Sequence, residues 1–114
     1  MIYIHLPGTG GFEWDAFNAG HIARHGLEPL EVEQALANDP ATIRAVVAGT
    51  GEERWFTVGP NDAGRLLAVV WTMRGSRVRV VTAYPAGKRL QRDYAKAKGG
   101  DGRAARLARP RLRR

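Results

Sequence analysis

The sequence contains no cysteine. This absence excludes disulfide bonds, a thiolate nucleophile, and zinc or iron–sulfur sites built on thiolates. Long apolar runs are also missing, since the longest one, Leu66 to Trp71, is far shorter than a membrane span. Residues Met1 to Gly11 lack the basic start and apolar stretch of a secretory signal. We therefore expect a cytoplasmic protein whose fold is held by burial of apolar side chains.

Acidic residues are scarce in the second half of the chain. Residues 1–53 carry two basic and eight acidic side chains, a net charge of −6. Residues 54–98 carry ten basic and two acidic side chains (net +8), and residues 99–114 carry six arginines and one aspartate (net +5), in agreement with +7 for the whole chain. A basic half of this kind favours a polyanionic partner, because neutralising phosphates releases counterions.

The first part of the chain has helical periodicity. A length of 114 residues suits a single domain, which we place at 1–98. Asp15 and Gly26 are typical cap residues for a first helix over 16–25, with Phe17 and Ile22 on its apolar face. Pro29 fits the first turn of a second helix over 29–38.

After Pro40 the pattern changes from helical to alternating. Four strands are predicted, at 42–48, 54–58, 65–72 and 77–84, and the short glycine-containing links between them favour antiparallel hairpins. A last helix is predicted over 86–98, and we expect the basic tail 99–114 to be disordered. A weak edge strand is possible at Met1 to Leu6. The predicted fold class is α+β: two N-terminal helices, a four-stranded antiparallel sheet and a C-terminal helix.

Several segments resemble the BrnT family of toxins when they are taken in order along the chain. The opening motif combines Phe12-Glu13-Trp14-Asp15 with Asn18 and His25-Gly26. The later segments that resemble the family are Glu33 to Pro40, Glu52-Glu53-Arg54, Gly64-Arg65-Leu66-Leu67, Arg77 to Ala83, and Tyr94 in a basic last helix. The resemblance covers about residues 12–96.

This resemblance implies a RelE-like fold and an endoribonuclease that cleaves RNA without a metal or other cofactor. It also implies a partner, a ribbon-helix-helix antitoxin through which the protein would form oligomers. One departure concerns Tyr84, which stands where family members usually place an arginine. The arginine that binds the scissile phosphate is therefore left open.

The candidate catalytic residues are those that metal-free RNA cleavage needs. A base must take the proton of the ribose 2′-OH, an acid must protonate the leaving 5′-oxygen, and cations must stabilise the phosphorane. Histidine titrates near neutrality, and His25 falls on the family motif. The full candidate set is His25, Arg54, Arg79, Tyr84, Lys88 and Arg89. Alternation puts Arg79 and Tyr84 on opposite faces of their strand.

Two alternatives remain at this stage. His21 lies four residues before His25, so both could face one side of a helix, but a third metal ligand is not evident. The cluster of basic residues at the end of the last strand would also suit a non-catalytic nucleic-acid-binding module of the same fold. His25 could then be only a helix cap.

Overall fold

The computed structural model describes residues 10–99. The elements in chain order are β1 (Phe12–Glu13), α1 (Ala16–Ala23), α2 (Pro29–Ala37), β2 (Ala41–Val47), β3 (Glu53–Pro60), β4 (Leu66–Arg74), β5 (Arg77–Pro85) and α3 (Lys88–Ala97). The architecture is α+β, as predicted. The predicted edge strand at 1–6 and the tail beyond Gly99 lie outside the described residues.

The sheet has five strands in the order β1-β5-β4-β3-β2, so the prediction of four antiparallel strands was wrong in one respect. Strands β2 to β5 pair antiparallel through short turns, as expected. The additional strand β1 has only two residues and runs parallel to β5, where Phe12 pairs with Val78 and Glu13 with Arg79. A two-residue strand has no alternation to read, so sequence patterning could not reveal it.

Helices cover both faces of the sheet. Helices α1 and α2 cover one face, and Ile22, Val32 and Leu36 pack there against Leu67, Val69, Val78 and Val80. Helix α3 covers part of the other face, where Leu90 and Tyr94 pack against a second cluster that contains Phe56 and Val58. The helices of the described residues include none that is long and apolar enough to cross a membrane.

Helix α1 faces the sheet differently from the expectation. Phe17 was predicted on its apolar face but is 75% exposed, whereas Asn18 is buried at 1% exposure. The side-chain amide of Asn18 donates to the carbonyl oxygens of Glu13 and Val80, both at 3.0 Å. These bonds turn Asn18 and Ile22 towards the sheet, because residues four apart share a helix face, and they leave Phe17 outside.

Gly59 marks the closest approach of helix α2 to the sheet. A Cβ atom at this position would lie 2.0 Å from the carbonyl oxygen of Ala35, inside the backbone of α2. Only glycine permits this approach without moving the helix. Gly59 also pairs with Leu67 of β4, so the register of β3 with β4 is fixed at the residue that contacts α2.

We expect Gly59→Ala to lower the free energy of unfolding by about 1–3 kcal/mol or more, the usual cost of overpacking a core. Thermal or urea unfolding measures this change. Gly49→Ala is the matched control, since nothing lies within 4 Å of its added Cβ and its φ is not in the left-handed region. Equal stability of the two variants would show that α2 does not rest on Gly59.

Candidate active site

The rings of His25 and Tyr84 meet at the end of β5. Their centroids are 6.0 Å apart and the ring planes are inclined by 60°. His25 is exposed and Tyr84 is half-buried, so water and a ligand can reach both rings. Two residues separated by 59 positions thus form one aromatic pair, in which an imidazole ring lies beside a phenol ring.

The turn after α1 fixes the position of His25. Its amide N–H donates to the carbonyl oxygen of Ile22 at 2.9 Å, and Gly26 adopts a left-handed φ of 75°. A glycine in this conformation ends the helix at little cost. Leu27 then enters the same buried cluster as Ala83, the neighbour of Tyr84, and this burial brings the turn to the strand end.

Helix α3 begins directly after this strand end. Gly87 is its N-cap residue, and its lack of a side chain leaves the first N–H groups of the helix without a side-chain cap from this position. Lys88 and Arg89 occupy the first turn, are exposed, and make no ion pair within residues 10–99. A helix N-terminus with two unneutralised cations attracts phosphate through both its dipole and its charge.

Arg54 lies away from this cluster. It is the second residue of β3, and its Nε donates to a carboxylate oxygen of Glu52 at 2.8 Å. Trp55 pairs with Trp71, so the next step of the same register places Arg54 level with Thr72 of β4. Tyr84 pairs with Ala68, which lies four residues from Thr72 along the same strand. Four residues along a strand correspond to about 13 Å. The structure therefore does not bring Arg54 to the strand end.

Arg79 is also held elsewhere. Its guanidinium donates to carboxylates of Glu13 at 3.2 Å and Asp15 at 3.1 Å, and its side chain is only 13% exposed. The backbone N–H of Asn18 and the guanidinium of Arg79 hold the pKa of Asp15 below its usual value. The same carboxylates raise the pKa of Arg79. Arg79 thus links β5 to β1 and to the start of α1.

A β-bulge corrects the expected orientation of Tyr84. Trp71 pairs with Val80 but its neighbour Val70 pairs with Thr82, so β5 contains one extra residue at this point. The insertion reverses the alternation, because each residue of a strand points opposite to the previous one. Tyr84 consequently shares a face with Arg79 instead of lying opposite to it.

A cleft beside the cluster was missed by sequence reasoning. It has a volume of about 440 Å³ and lies between the start of β4 and the first turns of α3. The residues that line it are Gly64, Arg65, Leu66, Pro85, Ala86 and Gln91. Arg65 and Gln91 bring polar groups to this cleft. Arg65 stands in the Gly64-Arg65-Leu66-Leu67 segment that resembles the family, but neither it nor Gln91 was among the candidate site residues.

The described residues contain no cluster of three or more histidine, aspartate or glutamate side chains that could hold a metal ion. His21, the one histidine within α1, packs edge-on against Phe17 with ring centroids 6.2 Å apart. It lies on the outer face of α1 and not beside Tyr84.

Comparison with known proteins agrees with the resemblance given by the motifs. The model of a family described as the ribonuclease toxin BrnT of type II toxin–antitoxin systems matches residues 14–89. The match includes His25, Tyr84, Lys88 and Arg89. No curated protein gives a significant match to the chain. Because the family model covers about two thirds of the sequence, the chain belongs to the BrnT family of type II ribonuclease toxins.

Proposed function

We propose that this protein is a metal-independent endoribonuclease whose active site is the end of β5 together with the first turn of α3. The observation that carries the proposal is the contact of His25 with Tyr84 beside Lys88 and Arg89, two exposed cations that make no ion pair with residues 10–99. At one exposed place these residues supply the base and the charge stabilisation that metal-free cleavage needs, and solvent water can supply the acid. Arg54 and Arg79 are left out of the proposed site because acidic neighbours already bind them.

The proposed reaction is attack of a ribose 2′-oxygen on the adjacent phosphorus. His25 in its neutral form takes the 2′-OH proton, and the bond from phosphorus to the 5′-oxygen breaks as the 2′-oxygen bonds to phosphorus. The leaving oxygen takes a proton from a water molecule at this exposed site, and that water takes the proton held by His25. Lys88, Arg89 and the free N–H groups of α3 bear the charge of the phosphorane. The Tyr84 hydroxyl donates to a phosphate oxygen. The products carry a 2′,3′-cyclic phosphate and a 5′-hydroxyl.

The biological setting is part of the same proposal. Membership of the family supports an antitoxin partner, which we propose to be a ribbon-helix-helix protein that assembles with the toxin into an oligomer. The order of two helices, antiparallel strands and a C-terminal helix supports a RelE-like fold, with β1 as an additional edge strand. Cleavage of cytoplasmic RNA would arrest growth when the antitoxin is absent.

We expect His25→Ala to lower kcat for RNA cleavage by about 100-fold and to change the dependence of the rate on pH, since the imidazole is the proposed general base. The measurement is the cleavage rate of a labelled RNA from pH 5 to pH 8. His21→Ala is the matched control, because His21 lies one turn earlier on α1 and contacts Phe17. Wild-type activity and pH dependence in His25→Ala would remove His25 from the reaction.

A further inference from the structure

The cleft next to the proposed active site offers both an apolar wall and polar groups. Leu66, Pro85 and Ala86 form the wall, and Arg65 and Gln91 lie at its polar side. Two of the lining residues are joined through the backbone, because the N–H of Ala86 donates to the carbonyl oxygen of Leu66 at 2.9 Å. Its volume of about 440 Å³ lies within the range of about 300–1,000 Å³ of small-ligand sites.

The polar groups of the cleft are directed by bonds within the protein. The Nε2 of Gln91 donates to the carbonyl oxygen of Ala86 at 2.9 Å, which leaves its Oε1 as an acceptor for a ligand. The backbone of Arg65 is fixed by Asn61, whose Oδ1 accepts from its N–H at 2.9 Å. The Arg65 side chain is exposed and makes no ion pair within residues 10–99. The cleft therefore presents one acceptor and one planar cationic donor.

The cleft and the cluster of cations share a short piece of chain. Pro85 and Ala86 follow Tyr84 directly, and one residue, Gly87, separates Ala86 from Lys88. A nucleotide whose phosphate lies at Lys88 and Arg89 would therefore have its base beside the cleft. The apolar wall can pack against the face of a base, while its edge meets Arg65 and Gln91.

We propose that this cleft binds the guanine base of the nucleotide next to the scissile phosphate, an inference that rests on the proposed function. Guanine presents two adjacent acceptors, O6 and N7, which match the guanidinium fork of Arg65. Its N1–H and N2 amino groups are donors that match Oε1 of Gln91. Adenine offers a donor where guanine has O6, so it cannot accept the same pair of bonds from Arg65.

The test uses the full chain and the four nucleoside 5′-monophosphates as probes, with binding followed by amide NMR. We expect GMP to shift the signals of Leu66, Ala86 and the Gln91 side chain, and to bind at least about tenfold more tightly than AMP. Arg65→Lys keeps the charge but loses the planar fork, so it should lose this preference. Arg77→Lys, at the other end of β5, is the matched control for the same substitution at another exposed arginine. Equal binding of all four probes, or shifts outside the cleft, would overturn the proposal.

A parallel map of cleavage sites separates this inference from the proposed function. On an RNA that contains all dinucleotide steps, wild type should cut next to guanines, and Arg65→Lys should cut with less regard for the base. Cleavage without guanine preference in wild type would contradict the cleft and leave the ribonuclease intact. Guanine-selective binding without any cleavage would contradict the ribonuclease and leave the cleft intact.

Discussion

Replacing Lys88 and Arg89 together by alanine is expected to lower the rate of RNA cleavage by at least about 100-fold in a protein that stays folded. The two side chains are the exposed cations of the first turn of α3, beside Tyr84. Groups placed where charge develops in a transition state are worth about 100- to 1,000-fold in rate. Exposed charges add little to folding stability, so the melting temperature should change by only a few degrees.

A matched double variant controls for the loss of two charges. Arg74→Ala with Arg77→Ala removes the same net charge from the turn between β4 and β5, at the opposite end of the sheet. General weakening of RNA attraction would affect both variants alike, whereas loss of the active site affects only the first. Wild-type rates in the Lys88 and Arg89 double variant would place the site elsewhere.

Asn18→Ala is expected to lower the free energy of unfolding by about 3 kcal/mol. The Asn18 amide bonds two strand carbonyls, and its Oδ1 accepts from the N–H of Asp15 at 2.8 Å. Its removal leaves the buried carbonyl oxygen of Val80 without this donor, and an unsatisfied buried group costs about 1–3 kcal/mol. The lost bonds at the start of α1 add to that cost.

Thermal unfolding measures the effect, which corresponds to a decrease in Tm of roughly 10–20 °C for a domain of this size. Asn38→Ala is the control, because Asn38 also bonds a strand carbonyl, that of Pro60, but lies at a partly exposed helix end. We expect it to cost less than about 1 kcal/mol. A similar Tm for the two variants would show that Asn18 does not anchor α1.

Periodicity was sufficient to predict the three helices and strands β2 to β5. Helix α2 begins at Pro29 as expected, and strands β2 to β5 each overlap their predicted ranges. Local capping chemistry predicted Asp15 as the N-cap of α1, and the structure confirms it. These features depend on neighbouring residues only, which is why the sequence alone reveals them.

The features that sequence reasoning missed depend on contacts between distant residues. In the sequence, Asn18 resembles any polar residue of a helix. Only its hydrogen bonds to the carbonyl oxygens of Glu13 and Val80 explain its burial. The bulge near Val81 is evident only from the pairing of β5 with β4, and it determines on which face of the sheet Tyr84 lies. The separation of Arg79 from Tyr84 likewise follows from ion pairs with β1, a strand too short to predict.

Sequence reasoning could name the residues of the candidate site, but it could not predict which of them lie together. Tyr84, Lys88 and Arg89 are close in sequence, so their proximity follows from chain connectivity. The contact of His25 with Tyr84 depends on the packing of α1 against β5 through Leu27 and Ala83. Whether these residues act in catalysis stays a prediction until the variants are measured.

The most direct test of the proposed ribonuclease is the chemistry of the RNA ends formed by the purified wild-type protein in excess EDTA. The account predicts cleavage with 2′,3′-cyclic phosphate and 5′-hydroxyl ends, since the 2′-oxygen is the nucleophile and side chains supply the charge. Intact RNA after prolonged incubation, or products with 3′-hydroxyl and 5′-phosphate ends, would contradict it.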